Sequence, residues 1–262
     1  MRLAARIAGI GLVGPGLAGW SAARETLAGR APYAPSPTRL PAPEALPATE
    51  RRRAGKCVKL ALATGLEAVA AAGVAPAGLA AIFSSSSGDG ENCHAICETL
   101  ASDDRLISPT RFHNSVHNAP AGYWSIATGA TTSVDCLGAF DASFGAGLLE
   151  ALTRLAVEPA APVVLVAYDA PYPEPLHGAR PIPDAFGVAM VLDAVNGAGP
   201  SIAVNFTRDA AQPAADAGLE DLRRAIPAAR ALPLLELLAR EEPGHATLAY
   251  LGGLNLRVEL TQ

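Results

Sequence analysis

Cys136 is the side chain in this sequence with the clearest capacity for covalent chemistry. It lies in SVDCLGAFDASFGAG, after a segment that alternates like a strand and shortly before a helical pattern. A thiol at a helix N-terminus has its thiolate favoured by the helix dipole, which is how an acyl-accepting cysteine is activated. Asp141 has the type and place of the helix cap, however, so Cys136 falls within the strand or on the turn. There a cysteine serves equally as a small buried hydrophobe. His113 and His117, four apart in HNSVHN, would share a face on a helix, but Pro109 and Pro120 flank a short polar segment and no carboxylate or cysteine completes a metal set. Cys93-His94-x-x-Cys97 puts two thiols on adjacent turns without a second pair downstream. Neither place is expected to hold a metal. Ser84–Gly90, SSSSGDG, joins a strand to a helix but lacks the glycine spacing of a nucleotide loop, and reads as a serine-rich turn lining a cleft. No Gly-x-Ser-x-Gly supports serine hydrolysis. No cofactor is implied.

The elements that must position these residues follow from hydrophobic periodicity. Arg6–Val13, with its two glycines, reads as a short buried strand, and Gly19–Gly29 as a helix with Trp20 and Leu27 inward. Ala31–Pro47 is proline-rich and aperiodic, hence a surface loop. Thr49–Gly73 predicts one helix, with Val58, Leu62, Leu66 and Val69 on its inner face and Gly73 as C-cap. Ala80–Phe83 is a strand, Glu91–Leu100 a helix, Ser108–Asn118 a loop, Ala121–Ala127 a small-residue helix and Thr131–Cys136 a strand. Asp141 is expected to cap a helix running to about Val157. Val163–Tyr168, Gly187–Asp193 and Ser201–Phe206 are strands; Ala215–Ala225 and Leu232–Arg240 are helices; Ala246–Tyr250 and Leu256–Leu260 close the chain as strands. Strands alternating with helices predict a single layered α/β domain over residues 1–262, with a mostly parallel sheet covered on both faces.

Composition narrows the function. The net charge is -5 and no basic run exceeds Arg51-Arg52-Arg53, which reads as a solvated helix start; nucleic acid is not expected as a partner. The four cysteines form no disulfide framework, nothing at the N-terminus reads as a secretory signal, and no stretch is apolar for long enough to span a membrane. The expectation is a reduced, cytoplasmic protein.

Several segments, in order, resemble the N-terminal half of the β-ketoacyl synthases. RIAGIGLVGPG with Trp20 and LAGR is similar to that family's first strand, glycine turn and helix; RRRAGKCVKLALATGLEAVAAAGV is similar to its Arg- and Ala-rich helix. SPTRFHNSVHNAPAGYWSIATG, Ser108 to Gly129, resembles the loop and helix before the catalytic strand, and PDAFGVAMVLDA a later Gly- and Ala-rich strand. The resemblance is best over residues 1–194 and faint beyond, as in LGGLNLRVEL. In particular, it is similar to short ketosynthase-like chains described as chain length factors of aryl polyene and xanthomonadin-type pigment clusters. It implies a thiolase-like fold with a truncated or compressed second half.

The departures from the family bear on function. A ketosynthase carries its cysteine at the turn between strand and helix. Here that position falls near Gly138–Phe140, where there is no thiol, and Cys136 takes the role only if the turn is drawn differently. The histidine motifs of the family's second half are missing; His177 and His245 are the only later histidines, and neither has that context. Those imidazoles would stabilise the developing enolate. The resemblance therefore implies a non-catalytic homologue that pairs, as a heterodimer, with a full-length ketosynthase and meets acyl carrier protein through it. Phe112, His117, Tyr123, Trp124 and Phe140 are its candidates for the interface or for the floor of the partner's acyl tunnel, with ordinary core packing as the competing role. Two other readings stay open: an acyl-transfer or condensing enzyme using Cys136, with His113 or His117 as base, and a stand-alone binding or structural module.

Overall fold

A computed structural model describes residues 3–195 and 199–262. The first strand, β1 (Leu3–Gly14), is the axis of the molecule. It turns through Pro15–Gly16 into β2 (Leu17–Ala18) and then α1 (Trp20–Leu27). A proline-rich loop leads to α2 (Ala48–Arg53) and α3 (Lys56–Ala72). Next come β3 (Ala80–Ser84), α4 (Gly90–Ala101), α5 (Pro109–His113), α6 (Ala119–Thr128), β4 (Val134–Leu137), α7 (Ser143–Val157) and β5 (Val163–Asp169). The remainder is α8 (Leu176–Ala179), β6 (Phe186–Asp193), β7 (Ser201–Thr207), α9 (Ala217–Ala225), a 3-10 turn at Pro227–Ala231, α10 (Leu232–Arg240), β8 (Gly244–Leu251) and β9 (Leu254–Thr261).

All the strands join one sheet in the order β4-β3-β5-β6-β1-β7-β9-β8, with β2 paired to β1. The expected α/β layering is present, but the sheet is not mostly parallel. β3 runs parallel to β4 and β5, and every other pairing is antiparallel. The reason is the connections. Helical crossovers lead from β3 through α4–α6 to β4 and on through α7 to β5, as parallel neighbours require; α1–α3 and α9–α10 lie in connections between strands that are not neighbours in the sheet. The sheet neighbours β5 and β6 are joined with no helix longer than the four-residue α8, and β8 and β9 by Gly252–Gly253 alone, so these neighbours run in opposite directions.

Two apolar cores lie on opposite faces of the sheet. One packs α7, α9 and α10 against it, with Leu148, Leu152 and Leu235 fully buried; the other packs α3 and α6, with Leu60, Leu62 and Trp124. The glycines of β1 are what let α3 approach. A Cβ at Gly11 would collide with the carbonyl oxygen of Thr64, and one at Gly9 with that of Ala68.

Three local expectations are corrected. The helix expected over Thr49–Gly73 is two helices, because the chain extends at Ala54–Gly55 where the Asp89 carboxylate lies against Gly55; Gly73 does end α3 in the left-handed region, φ 67. The loop Ser108–Asn118 contains the short helix α5, opened by Pro109 in its first turn. Asp141 does not cap α7, whose N-cap is Ala142; its carboxylate is drawn instead into ion pairs with two arginines. The Arg51–Arg53 run closes α2, where Arg51 and Arg53 pair with Glu44 and Glu50.

Candidate functional site

The connection from β4 into α7 is the place where this fold can present a reactive group. β4 ends at Leu137, and Gly138–Ala142 carry the chain round to Ser143. Phe140 sits at the apex with φ 52, in the left-handed region that costs a side-chain-bearing residue about 1 kcal/mol or more. The turn is held from within. Ser143 Oγ accepts from the Ala139 amide at 3.0 Å and donates to the Phe140 carbonyl at 2.7 Å, while Ser84 Oγ donates to the Ser143 carbonyl at 2.6 Å. This is a strained strand–turn–helix elbow at the start of a 15-residue helix, and its exposed apex residue is a phenylalanine.

The Phe140 ring is 63% exposed, and the Arg180 guanidinium stacks on it at 3.6 Å from the centroid. Arg180 donates to Asp141 at 2.6 Å and Arg230 donates to the other oxygen of the same carboxylate at 3.0 Å. Two arginines from separate segments thus converge on the residue after the apex. Neither arginine was legible as part of a site, since Arg180 and Arg230 lie 39 and 89 residues from Asp141 in sequence.

Cys136 does not reach the apex. It is in β4, paired in register with Phe83, half-buried, beside Asn118 and Ser125 in a hollow of about 350 Å³ between β4 and α6. Burial, reinforced by the neighbouring Asp135 charge, pushes its thiol up to about 11. An activated thiol shifts the other way, so Cys136 is a protonated, weakly nucleophilic group at neutral pH.

His117 lies closer to the elbow. Its Nε2 is 3.3 Å from the Ser85 carbonyl, and a Cβ at Gly138 would come within 3.6 Å of the same nitrogen. Gly88, at φ 70, forms the other side of its slot. His113 is exposed, with its ring edge-on to Tyr123 at 6.2 Å. Tyr123 and Trp124 are buried in the α3–α6 core: Tyr123 donates to Asn114 Oδ1 at 3.1 Å, and Trp124 meets Phe83 edge-on at 6.1 Å over Gly65. Phe112 is 70% exposed. With Leu106, Val116 and Ile126, also exposed, it belongs to the segments that lead into β4, an edge strand whose outer side has no partner among the described residues.

The serine turn is anchored from below. Asp169, fully buried at the end of β5, accepts from the Ser86 amide at 2.8 Å and from the Ser86 hydroxyl at 2.6 Å, and its other oxygen accepts from the Ala228 amide at 2.8 Å. Burial raises its pKa to about 6 against these hydrogen bonds. A lone acid ending the apolar run VVLVAYD was the available sequence signal. Among the described residues no group of three or more metal-ligating side chains converges, and no helix is long and apolar enough to cross a membrane.

These features define a ketosynthase-type scaffold. The family model for the β-ketoacyl synthase N-terminal domain matches residues 20–244, and the chain belongs to that family. No curated protein sequence matches it. Among solved structures it is similar to a chain of the ketosynthase ApeO in complex with its chain length factor ApeC from Xenorhabdus doucetiae, at 23% identity and TM-score 0.73, over 97% of this chain and 98% of the other. It is also similar to the ishigamide ketosynthase/chain length factor, at 14% identity and TM-score 0.72 over 98% of both chains. A third similar structure is the AntDE:AntF assembly, a type II polyketide synthase acyl carrier protein in complex with its ketosynthase, at 11% identity and TM-score 0.72 over 100% of this chain and 99% of the other. The shared fold is thiolase-like.

Proposed function

We propose that this chain is a non-catalytic ketosynthase homologue that acts as the chain length factor of an active ketosynthase in aryl polyene or related type II polyketide biosynthesis. The observation that carries this reading is Phe140 at the apex of the elbow, where the family's chemistry needs a thiol. A phenyl ring can neither accept an acyl group nor be activated by the helix behind it. The complexes to which the chain is similar pair a ketosynthase with a chain length factor, and the match extends over nearly the whole of both chains.

The pairing surface follows from what is left open. β4 is a free sheet edge, and a free edge is a template for another chain. Phe112, Val116 and Ile126 place apolar surface on the segments leading to it, and His117 and Phe140 lie at its elbow end. Tyr123 and Trp124 back this surface from within the core. Docked there, these groups would bound the partner's acyl tunnel, and length would be limited by exclusion because overpacking is costly. The carrier protein would meet the complex through the ketosynthase, in the cytoplasm.

The test is co-expression with a full-length ketosynthase from the same genome. Co-purification as a 1:1 complex whose product is longer or shorter when Phe112 is replaced by Ala or Trp supports the reading. A monomer that ignores that ketosynthase favours a stand-alone module. The enzyme reading requires Cys136 to act as nucleophile. It fails if Cys136→Ala leaves product formation by the complex intact.

A further inference from the structure

A second surface lies at the same end of the sheet as the elbow but three to four strands away from β4, where β1 ends and β6 begins. There the proline-rich loop, the segment before β6 and the first turns of α9 enclose an apolar groove of about 730 Å³. Its walls include Tyr33, Pro35, Pro183 and Leu222, and its lips carry Asp184, Asp216 and Asp221. No lysine, arginine or histidine lines it among the described residues. The arginines of α9 turn to Glu220 instead, which pairs with both Arg223 and Arg224.

The groove is preformed. Tyr33 donates its hydroxyl to the Pro15 carbonyl at 2.9 Å, Gly16 donates to the Ser36 carbonyl at 2.8 Å, and the Thr38 amide donates to Asp184 at 2.9 Å. Prolines with fixed φ leave the loop little else to do. The edges of the Tyr33 ring abut Gly16 and Gly218, where any Cβ would collide with it. Asp184 and Asp216 each also hold backbone amides, but Asp221 is exposed and has no partner among the described residues.

From this charge pattern we infer that the groove docks a basic, leucine- or proline-flanked extended segment of a partner protein, whose arginine or lysine reaches the three carboxylates while its neighbours cover the apolar walls. Complementary charge sets which segment is admitted, and apolar contact holds it. The field of Asp216 and Asp184 already reaches the Tyr33 phenol, whose pKa burial and these two charges raise together. The inference is independent of the β4 edge and of whether the chain pairs with a ketosynthase.

The test is amide chemical-shift mapping of the isolated chain with a short capped peptide of alternating leucine and arginine. Saturable shifts at Tyr33, Gly218 and Leu222 are expected, weakened about tenfold by Asp221→Lys, and absent with the glutamate version of the peptide. Asp221 makes no structural bond, so this variant should fold; Asp184→Asn is the second variant, expected to weaken binding in the same direction. Three results would overturn the inference: no shift in the groove at millimolar peptide, equal binding by Asp221→Lys, or butylguanidinium binding as tightly as the peptide, which would make this a pocket for small cations.

Discussion

The guanidinium of Arg180 lies 3.6 Å from the centroid of the Phe140 ring and at the same time holds Asp141, the next residue, at 2.6 Å. One side chain therefore grips both the apex of the elbow and the residue that leads into α7. With Arg230 on the other oxygen of Asp141, the turn before α7 is held by two cations with a phenyl ring at its apex.

That geometry predicts a latent reactivity. In Phe140→Cys, a thiol would stand on the turn before α7 beside Arg180, and the dipole and the net positive charge of Arg180 and Arg230 around Asp141 favour thiolate. Alkylation by iodoacetamide, followed by mass spectrometry of the peptides, should label this position at least about tenfold faster at pH 7 than Cys136. Cys136, with its pKa at about 11, should speed up roughly tenfold per pH unit up to pH 10. Equal rates at the two positions would show that the elbow does not activate a nucleophile.

The apolar surface along β4 should be separable from folding. Phe112→Asp with Ile126→Asp alters side chains that are 70% and 47% exposed, so the monomer's stability should change by less than about 1 kcal/mol. Co-purification with the ketosynthase should be lost. Gly122 has open space where its Cβ would be, and Gly122→Leu should act in the same way by filling the hollow beside β4. A double aspartate variant that still pairs would move the interface elsewhere.

Close packing of α3 on β1 makes Gly11 a sensitive position. In Gly11→Ala the new methyl would overlap the Thr64 carbonyl, and backbone cannot swing aside as a side chain can. Denaturant unfolding should show a loss of about 3 kcal/mol or more, at the upper end for overpacking. A loss under 1 kcal/mol would contradict the described contact.

Asp169 gives stability a pH dependence of unusual sign. Its folded pKa is near 6, above the roughly 3.9 of an unfolded aspartate, so the folded state binds the extra proton. Stability from this group is full below about pH 4 and falls as pH rises towards 6, by up to about 3 kcal/mol. Glu220 works in a lower window: hydrogen bonding to Arg223 holds its carboxyl down at about 2, so its contribution is present above the unfolded value near 4.3 and is lost as pH falls towards 2. Unfolding of the wild type and Asp169→Asn from pH 4 to 7 should converge or cross as pH rises, because only the wild type loses this term. Parallel curves would refute the assignment.

Much of the architecture was legible because it rests on local pattern. Leu148, Leu152 and Leu155 mark the inner face of α7, and VVLVAYD could only be a buried strand. Sheet direction was not legible, because Phe186–Asp193 and Ser201–Thr207 read the same whether they run parallel or antiparallel; what decides is that the connection after β5 carries no helix longer than the four-residue α8. The thiol-free turn was visible near Gly138–Phe140, but Phe140 as its apex was not, since a positive φ in a phenylalanine has no sequence signature. Asp141 has the sequence position of a cap but not the role, for a similar reason. The partners that claim it, Arg180 and Arg230, meet it only after the chain has folded.

A non-catalytic homologue lengthens nothing by itself. The measurement is elongation of a carrier-bound acyl chain with malonyl units, followed by mass spectrometry, using the purified chain, the proposed ketosynthase partner and the two together, with Cys136→Ala tested both alone and in the pair. No product is expected from the chain alone, and undiminished product from the pair carrying Cys136→Ala. Elongation by the chain alone, abolished by Cys136→Ala, would contradict this.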